Sequence, residues 1–294
     1  MTTEQARPLR RIASDFAENR IALAGLALLA AILLVALLAP LLSPQDPYDL
    51  AQLDVLDSRL PPLARSGGGR TYWLGTDDQG RDMLSGIFYG LRISISVGVA
   101  STVAALAIGL TLGLLAAYFG GWVDTLIMRI VDIQLSFPSI LIALILLAVL
   151  GQGMDKIILA LVAVQWAYYA RTARGAALVE RRKEYMEAAA GLALSHARIV
   201  FRHLLPNCLP PLIVVATVQV ASAIALEATL SFLGLGLPIT EPSLGLLIAN
   251  GFTYLLSGKY WISLFPGVAL VATIVSINLV ADQLRDVLNP RLQR

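Results

Sequence analysis

Cysteine is almost absent: Cys208 is the only one among 294 residues. A lone thiol excludes an intrachain disulfide and any cysteine-built metal cluster. Histidine is nearly as scarce, with His196 and His203 alone, so no imidazole set for a metal is expected either. Charge is thin. Asp, Glu, Lys and Arg together make 14% of the chain, against roughly 25% in an ordinary soluble domain. The formal net charge of +2 is too small to draw nucleic acid, and basic residues form only short clusters. No Walker-type glycine loop occurs; the run Ser66-Gly67-Gly68-Gly69 lacks the lysine that should follow and reads as a linker. No His-Glu-x-x-His and no nucleophile–base set lies in the apolar stretches, so no catalytic residue is expected.

What remains is apolar. Hydrophobic residues make 57% of the chain and mean hydropathy is +0.74, an excess that a packed core alone does not explain. Six stretches read as membrane spans: 21–42, 93–118, 126–150, 157–177, 209–235 and 261–280. The first, at about 1.5 Å per residue, reaches roughly 33 Å and crosses a hydrocarbon core of about 30 Å. It is longer than the apolar region of a signal peptide, and no small-residue cleavage site follows it. Pro138 should kink the third span by removing a backbone donor. The fold class is therefore all-α, a polytopic membrane protein of six transmembrane helices.

Lys and Arg set the orientation. One side collects Arg7, Arg10, Arg11, Arg20, Arg171, Arg174, the 181–183 cluster, Arg198, Arg202 and Arg285. The other keeps mainly the arginines of one long loop, Arg59 to Arg81. Both termini should then be cytoplasmic. The chain divides into a tail (1–20), the first span (21–42), an external segment (43–90), a five-helix core (91–284) and a second cytoplasmic tail (285–294).

Within that core, the internal stretch 178–206 is far longer than a connection between spans requires. Two short helices are expected in it. Glu184 and Glu187 suit the first turn of one, where a carboxylate favours the helix dipole. Ser195 can cap the second, with Arg202 and His203 at its C-terminal end before Pro206 stops it. Small residues at 188–191, flanked by Met186, Leu194 and Phe201, would let another protein approach closely. The other reading is an amphipathic pair resting on lipid headgroups.

At these residues the chain resembles the permease subunits of bacterial binding-protein-dependent ABC importers, and within them the second permease of the dipeptide, oligopeptide and nickel group. Glu187-Ala188-Ala189 and Leu205-Pro206 fit the "EAA" loop of that family, with Ala193 where a glycine is usual, Gly191 two positions earlier, and His203 at the isoleucine position. The run 73–82, Trp-Leu-Gly-Thr-Asp-Asp-Gln-Gly-Arg-Asp, is similar to the family's external motif. The runs 231–238 and 284–292 are similar to its fifth-span end and its tail, with Asn289 for the usual aspartate. Leu244-Gly245 stands where a Trp-Gly pair is usual.

The resemblance implies the fold of an ABC importer type I permease in the bacterial inner membrane. It implies a second homologous permease, two ATPase subunits or domains that carry ATP and Mg, and an external substrate-binding protein. No cofactor is bound by this chain. Contact with the ATPases would fall on Glu184, Tyr185, Met186, Glu187, Ala188, Ala189, Gly191, Ala193, Ser195, Arg198, Arg202, Leu205 and Pro206. The modal substrate is a di- or oligopeptide, with nickel, glutathione and opine-like compounds open.

Ionisable residues near spans are costly and usually face a partner or a wet cavity. Arg129 and Asp132, three apart, can pair on one helix face. Glu227 either lines the path or pairs across the permease interface. Asp77, Asp78, Arg81 and Asp82 either contact the binding protein or form a solvated cap. A secondary transporter or channel is the rival class, but no internal repeat supports it.

Overall fold

The computed structural model describes residues 14–288. Helix α1 (Arg20–Leu37) starts at Asn19, whose side chain accepts from the amides of Ile21 and Ala22 at 3.0 and 3.2 Å. It stops at Leu38, and a separate turn, Ala39–Leu42, carries Pro40 near its start. The first expected span is thus a helix followed by one re-aimed turn.

The stretch 43–82, expected to be external, is folded. Single turns at Leu50–Gln52 and Val55–Asp57 lead into an antiparallel hairpin of β1 (Ala64–Arg65) and β2 (Thr71–Tyr72), with Ala64 opposite Tyr72. The glycine run read as a linker is the tip of this hairpin. There the Ser66 amide donates to Arg70 O at 2.8 Å, and Ser66 Oγ accepts from the Gly68 amide at 3.0 Å.

Helix α2 (Met83–Phe119) starts well before the expected position 93, because Asp82 caps it by accepting from the Ser85 amide at 2.8 Å. Its 37 residues make a rod of about 55 Å at 1.5 Å per residue, longer than the bilayer core. Helices α3 (Gly121–Leu135) and α4 (Ser139–Leu150) stand where one kinked span was expected, and they meet at 89°. Pro138 supplies no amide and keeps Phe137 out of helical conformation, so the chain breaks rather than bends.

Helix α5 (Met154–Glu180) follows, then α6 (Glu184–Gly191), a turn at His196–Arg198, a π-helical turn over Ile199–Leu204, and α7 (Leu205–Phe232). Pro206 does not stop the helix as expected. The Leu205 amide bonds to Val200 O five residues back, and this wider turn takes in a proline that a regular turn would exclude. Helices α8 (Leu244–Phe252) and α9 (Trp261–Leu288) complete the described chain.

Among the described residues, α1, α2, the 196–232 run and α9 are each long and apolar enough to cross a membrane, and the bent pair α3–α4 adds a fifth if it crosses as one. Helix α5 carries Arg171 and Arg174 and does not qualify by composition. It is the central helix. Ile157, Leu161, Val164, Tyr169 and Ala173 are buried against α2, α4 and α7, so its surroundings are protein more than lipid. The approach to α2 is close: a Cβ on Gly109 would lie 2.3 Å from Trp166 O, and one on Gly113 2.4 Å from Ala170 O. Glycines four apart let two helix backbones touch where no larger residue fits.

Candidate functional site

The loop after α5 is built with one face anchored and the other free. On α6, Met186 and Ala189 are buried beside Ile199, Leu204 and Leu212, while Glu184, Glu187, Ala188 and Gly191 are exposed. Met186 and Ala189 therefore hold the helix to the membrane core and do not present themselves outward, contrary to expectation. Tyr185 and Leu205 are half-buried; Ala193, Ser195, Arg198, Arg202 and Pro206 are exposed. Leu192 and Phe201, 74% and 68% exposed, add apolar surface; of these, Phe201 was singled out in the sequence with Met186 and Leu194, and Leu192 was not.

The turn between the two helices falls at Ala193, the position where a glycine is usual, and not at Gly191. Ala193 adopts φ +52°, a left-handed conformation that glycine takes freely and alanine does not. Ser195 caps the next helix as expected, its Oγ accepting from the Arg198 amide at 3.4 Å.

A polar web fixes the base of the loop. Tyr185 OH donates to Glu180 Oε2 at 2.7 Å, Asn207 Nδ2 donates to Tyr185 OH at 3.2 Å, and Lys183 Nζ pairs with Glu180 Oε1 at 2.6 Å. Burial, reinforced by the Glu180 hydrogen bond, pushes the Tyr185 phenol up to about 12. It stays a donor at any physiological pH.

The charges at 77–82 are mostly placed inward. Asp77, Arg81 and Asp82 are buried, so these three present no solvated cap; Asp78 is half-buried. Asp77 Oδ1 accepts from the amides of Gln79 and Arg81, each at 2.8 Å, and Arg81 Nε donates to Asp77 Oδ2 at 2.8 Å. Arg81 Nη1 reaches Ile239 O at 3.3 Å. The Asp82 amide donates to Gln45 Oε1 at 2.6 Å, and Asp82 Oδ2 accepts from Ser85 Oγ at 2.6 Å. Burial pushes the Asp82 carboxyl above the usual carboxylate range. Trp261 Nε1 donates to Thr76 O at 3.2 Å and ties α9 to the same knot. These residues look functional in sequence because they are charged, but the charges of Asp77, Arg81 and Asp82 are spent on holding a loop.

In the spans, Asp132 pairs with Arg171 of α5 at 2.5 Å, not with Arg129 of its own helix. The pair that forms is therefore between helices, not the Arg129–Asp132 pair expected within one. Arg174 makes a two-pronged contact with Asp124 at 2.5 and 2.6 Å. Glu227 is fully buried inside the chain. Its oxygens accept from Ser94 Oγ of α2 at 2.9 Å and Ser231 Oγ at 2.8 Å. It therefore joins α2 to α7 and faces neither a path nor an inter-subunit surface.

Residues 109–294 match the family described as "Binding-protein-dependent transport system inner membrane component", and residues 7–62 match "N-terminal TM domain of oligopeptide transport permease C". The chain is 36% identical over 97% of its length to the dipeptide transport system permease protein DppC of Alkalihalophilus pseudofirmus, covering 91% of that protein. It is 36% identical over its full length to DppC of Haemophilus influenzae, covering 98% of it. It is also 37% identical over 97% of its length to the di/tripeptide transport system permease protein DppC of Pseudomonas aeruginosa, covering 93%. Among solved structures, a chain of the MetNI methionine ABC transporter in an inward-facing conformation has a TM-score of 0.57 at 22% identity, over 70% of this chain and 98% of that one. The chain is thus a permease of the ABC importer type, and it belongs to the binding-protein-dependent transport system inner membrane component family.

Proposed function

We propose that this chain forms half of the translocation path of an ATP-driven importer of di- and oligopeptides, and that it receives the ATPase stroke through residues 184–206. The path is completed by a second homologous permease. Two ATPase subunits bind and hydrolyse ATP with Mg, and an external binding protein delivers the peptide. The chain lies in the inner membrane with both termini in the cytoplasm. It crosses six times: α1, α2, the α3–α4 pair, α5, α7 and α9.

The observation that carries this reading is the construction of α6. Its buried side, Met186 and Ala189, belongs to the same apolar cluster as Leu114 of α2 and Leu212 of α7. Its free side offers Glu184, Glu187 and Ala188. A chain without a nucleotide loop must take work through contacts that differ between two states. A helix fixed to the core on one face and open on the other transmits such a contact without absorbing it. The exposed Leu56 and Trp73 beside the external knot, 89% and 60% exposed, suit the outer partner better than the buried carboxylates do.

The test is Glu187→Arg in the assembled transporter. Reversing this exposed charge should leave insertion and assembly intact while ATP hydrolysis no longer responds to the binding protein. An unaltered response at normal expression refutes the coupling role and favours a transporter independent of ATPases. The peptide assignment rests on the relatives' names, and the ligand found in the co-purified binding protein decides it.

A further inference from the structure

The cytoplasmic end of α2 holds both ends of the loop that contains α6. Where the loop leaves α5, Arg181 Nη1 donates to the Ala117 carbonyl, one of the last carbonyls of α2, which have no helical donor of their own. The Arg181 guanidinium also lies 5.9 Å from the centre of the Tyr118 ring. Where the loop turns into its second helix, the Tyr118 hydroxyl meets His196 Nδ1 at 2.6 Å, and the two rings stand edge-on at 5.6 Å. Consecutive residues of one helix thus grip both sides of the turn at Ala193.

Beside these ties an open groove of about 230 Å³ separates α2 from the segment after His196; it is lined by Leu114, Phe119, Val200 and Phe201 among others. Packing there is incomplete, so the register of the second loop helix against α2 depends on the polar contact. At its far end α2 is capped by Asp82 within the external knot, and along its outer half Ser94 is bonded to Glu227. One continuous helix therefore reaches from the cytoplasmic loop to the external segment.

We propose that Arg181, Tyr118 and His196 form a two-point clasp that makes the loop and α2 move as one body, so that α2 carries displacement of the loop to the outer side of the permease. The inference rests on the importer function proposed above and adds its route of transmission. Two ties on one helix end resist rotation as well as sliding, and a single tie does not. All three are positioning residues: none needs to touch substrate or nucleotide.

The test uses the complete transporter in liposomes, with the binding protein carrying the ligand it retains on purification. Tyr118→Phe keeps the ring and removes only the hydroxyl. It should lower the stimulation of ATP hydrolysis by the binding protein about fivefold, the worth of one ordinary hydrogen bond, with the yield of assembled complex unchanged. His196→Ala should do the same, and the double variant should lose no more than either single one, because both remove one contact. A spin-label pair at Ile108 and Leu192, both exposed, in a Cys208→Ser background, gives a second readout. Its distance should stay constant between nucleotide-free and vanadate-trapped states, and vary once Tyr118→Phe is combined with Arg181→Gln. Full stimulation in Tyr118→Phe and His196→Ala, losses that simply add, or a distance that already varies with both ties intact would overturn the clasp. If Glu187→Arg uncouples while the clasp variants do not, only the clasp fails; if Glu187→Arg itself stays coupled, the importer reading fails with it.

Discussion

Ala193 sits at φ +52°, where an L side chain crowds its own carbonyl at a cost of about 1 kcal/mol or more. Gly191, two residues earlier, ends α6 without a positive φ, so the glycine present in this loop is not at the turn that needs one. Ala193→Gly should therefore stabilise the loop by about 1 kcal/mol. Amide hydrogen exchange over residues 184–198 should slow by about fivefold in the variant; faster exchange would show that the turn is held by its neighbours and not limited by its own backbone. The position was legible in sequence from the register of the resemblance, and so was the Ser195 cap. The inward turn of Met186 and Ala189 was not, because two small or apolar residues on a short helix do not say which face meets the core.

At the scale of elements, the α2–α5 contact decides how closely the bundle packs. Leucine, isoleucine and valine could fill a wider gap, but Gly109 and Gly113 set the backbones so close that an added Cβ meets a carbonyl oxygen below 2.5 Å. Gly113→Val should force the helices apart at a cost of about 1–3 kcal/mol, seen as a lower melting temperature of the detergent-solubilised complex. The neighbouring Thr111→Val, whose hydroxyl bonds only back to Ala107 O, should change it little. Equal melting temperatures for Gly113→Val and the unaltered chain would mean that α2 can slide on α5. Apolar run length located four of the six expected spans as helices long and apolar enough to cross a membrane among the described residues; the third is a bent pair and α5 does not qualify. The two proline positions show where such reading stops: Pro138 breaks a span into two helices at 89°, while Pro206 passes through a π turn unbroken. A proline removes one donor in each case, and the surrounding turn geometry determines whether the chain can accommodate that loss.

Across the whole molecule, Glu227 links parts of the chain that are far apart in sequence. Ser94 and Ser231 both donate to it. Close by, Gly245 of α8 packs on the Ala228 backbone, where a Cβ would come within 2.4 Å of the Ala228 carbonyl oxygen. Glu227→Ala should leave those hydroxyls without an acceptor and open a cavity, lowering complex stability by about 2–4 kcal/mol. Glu227→Gln keeps an acceptor of the same length and should retain both stability and transport. Loss of transport by the glutamine variant at full stability would instead assign the carboxyl a chemical part in the cycle.

Composition by itself determined that this chain is a helical membrane protein, because burial of apolar surface acts on each span separately and leaves its mark in run length. Motif register likewise located the loop at 178–206 and the knot at 73–82. Only the tertiary structure decided which charges are structural. Asp132 could pair within its own helix or across to α5, and Asp77 and Arg81 could face water or each other; sequence spacing permits all of these. The choice follows from how the chain packs, since an ionisable group away from water is stable only where a partner meets it: Asp132 finds Arg171 on another helix, while Asp77 and Arg81, four apart, are buried together.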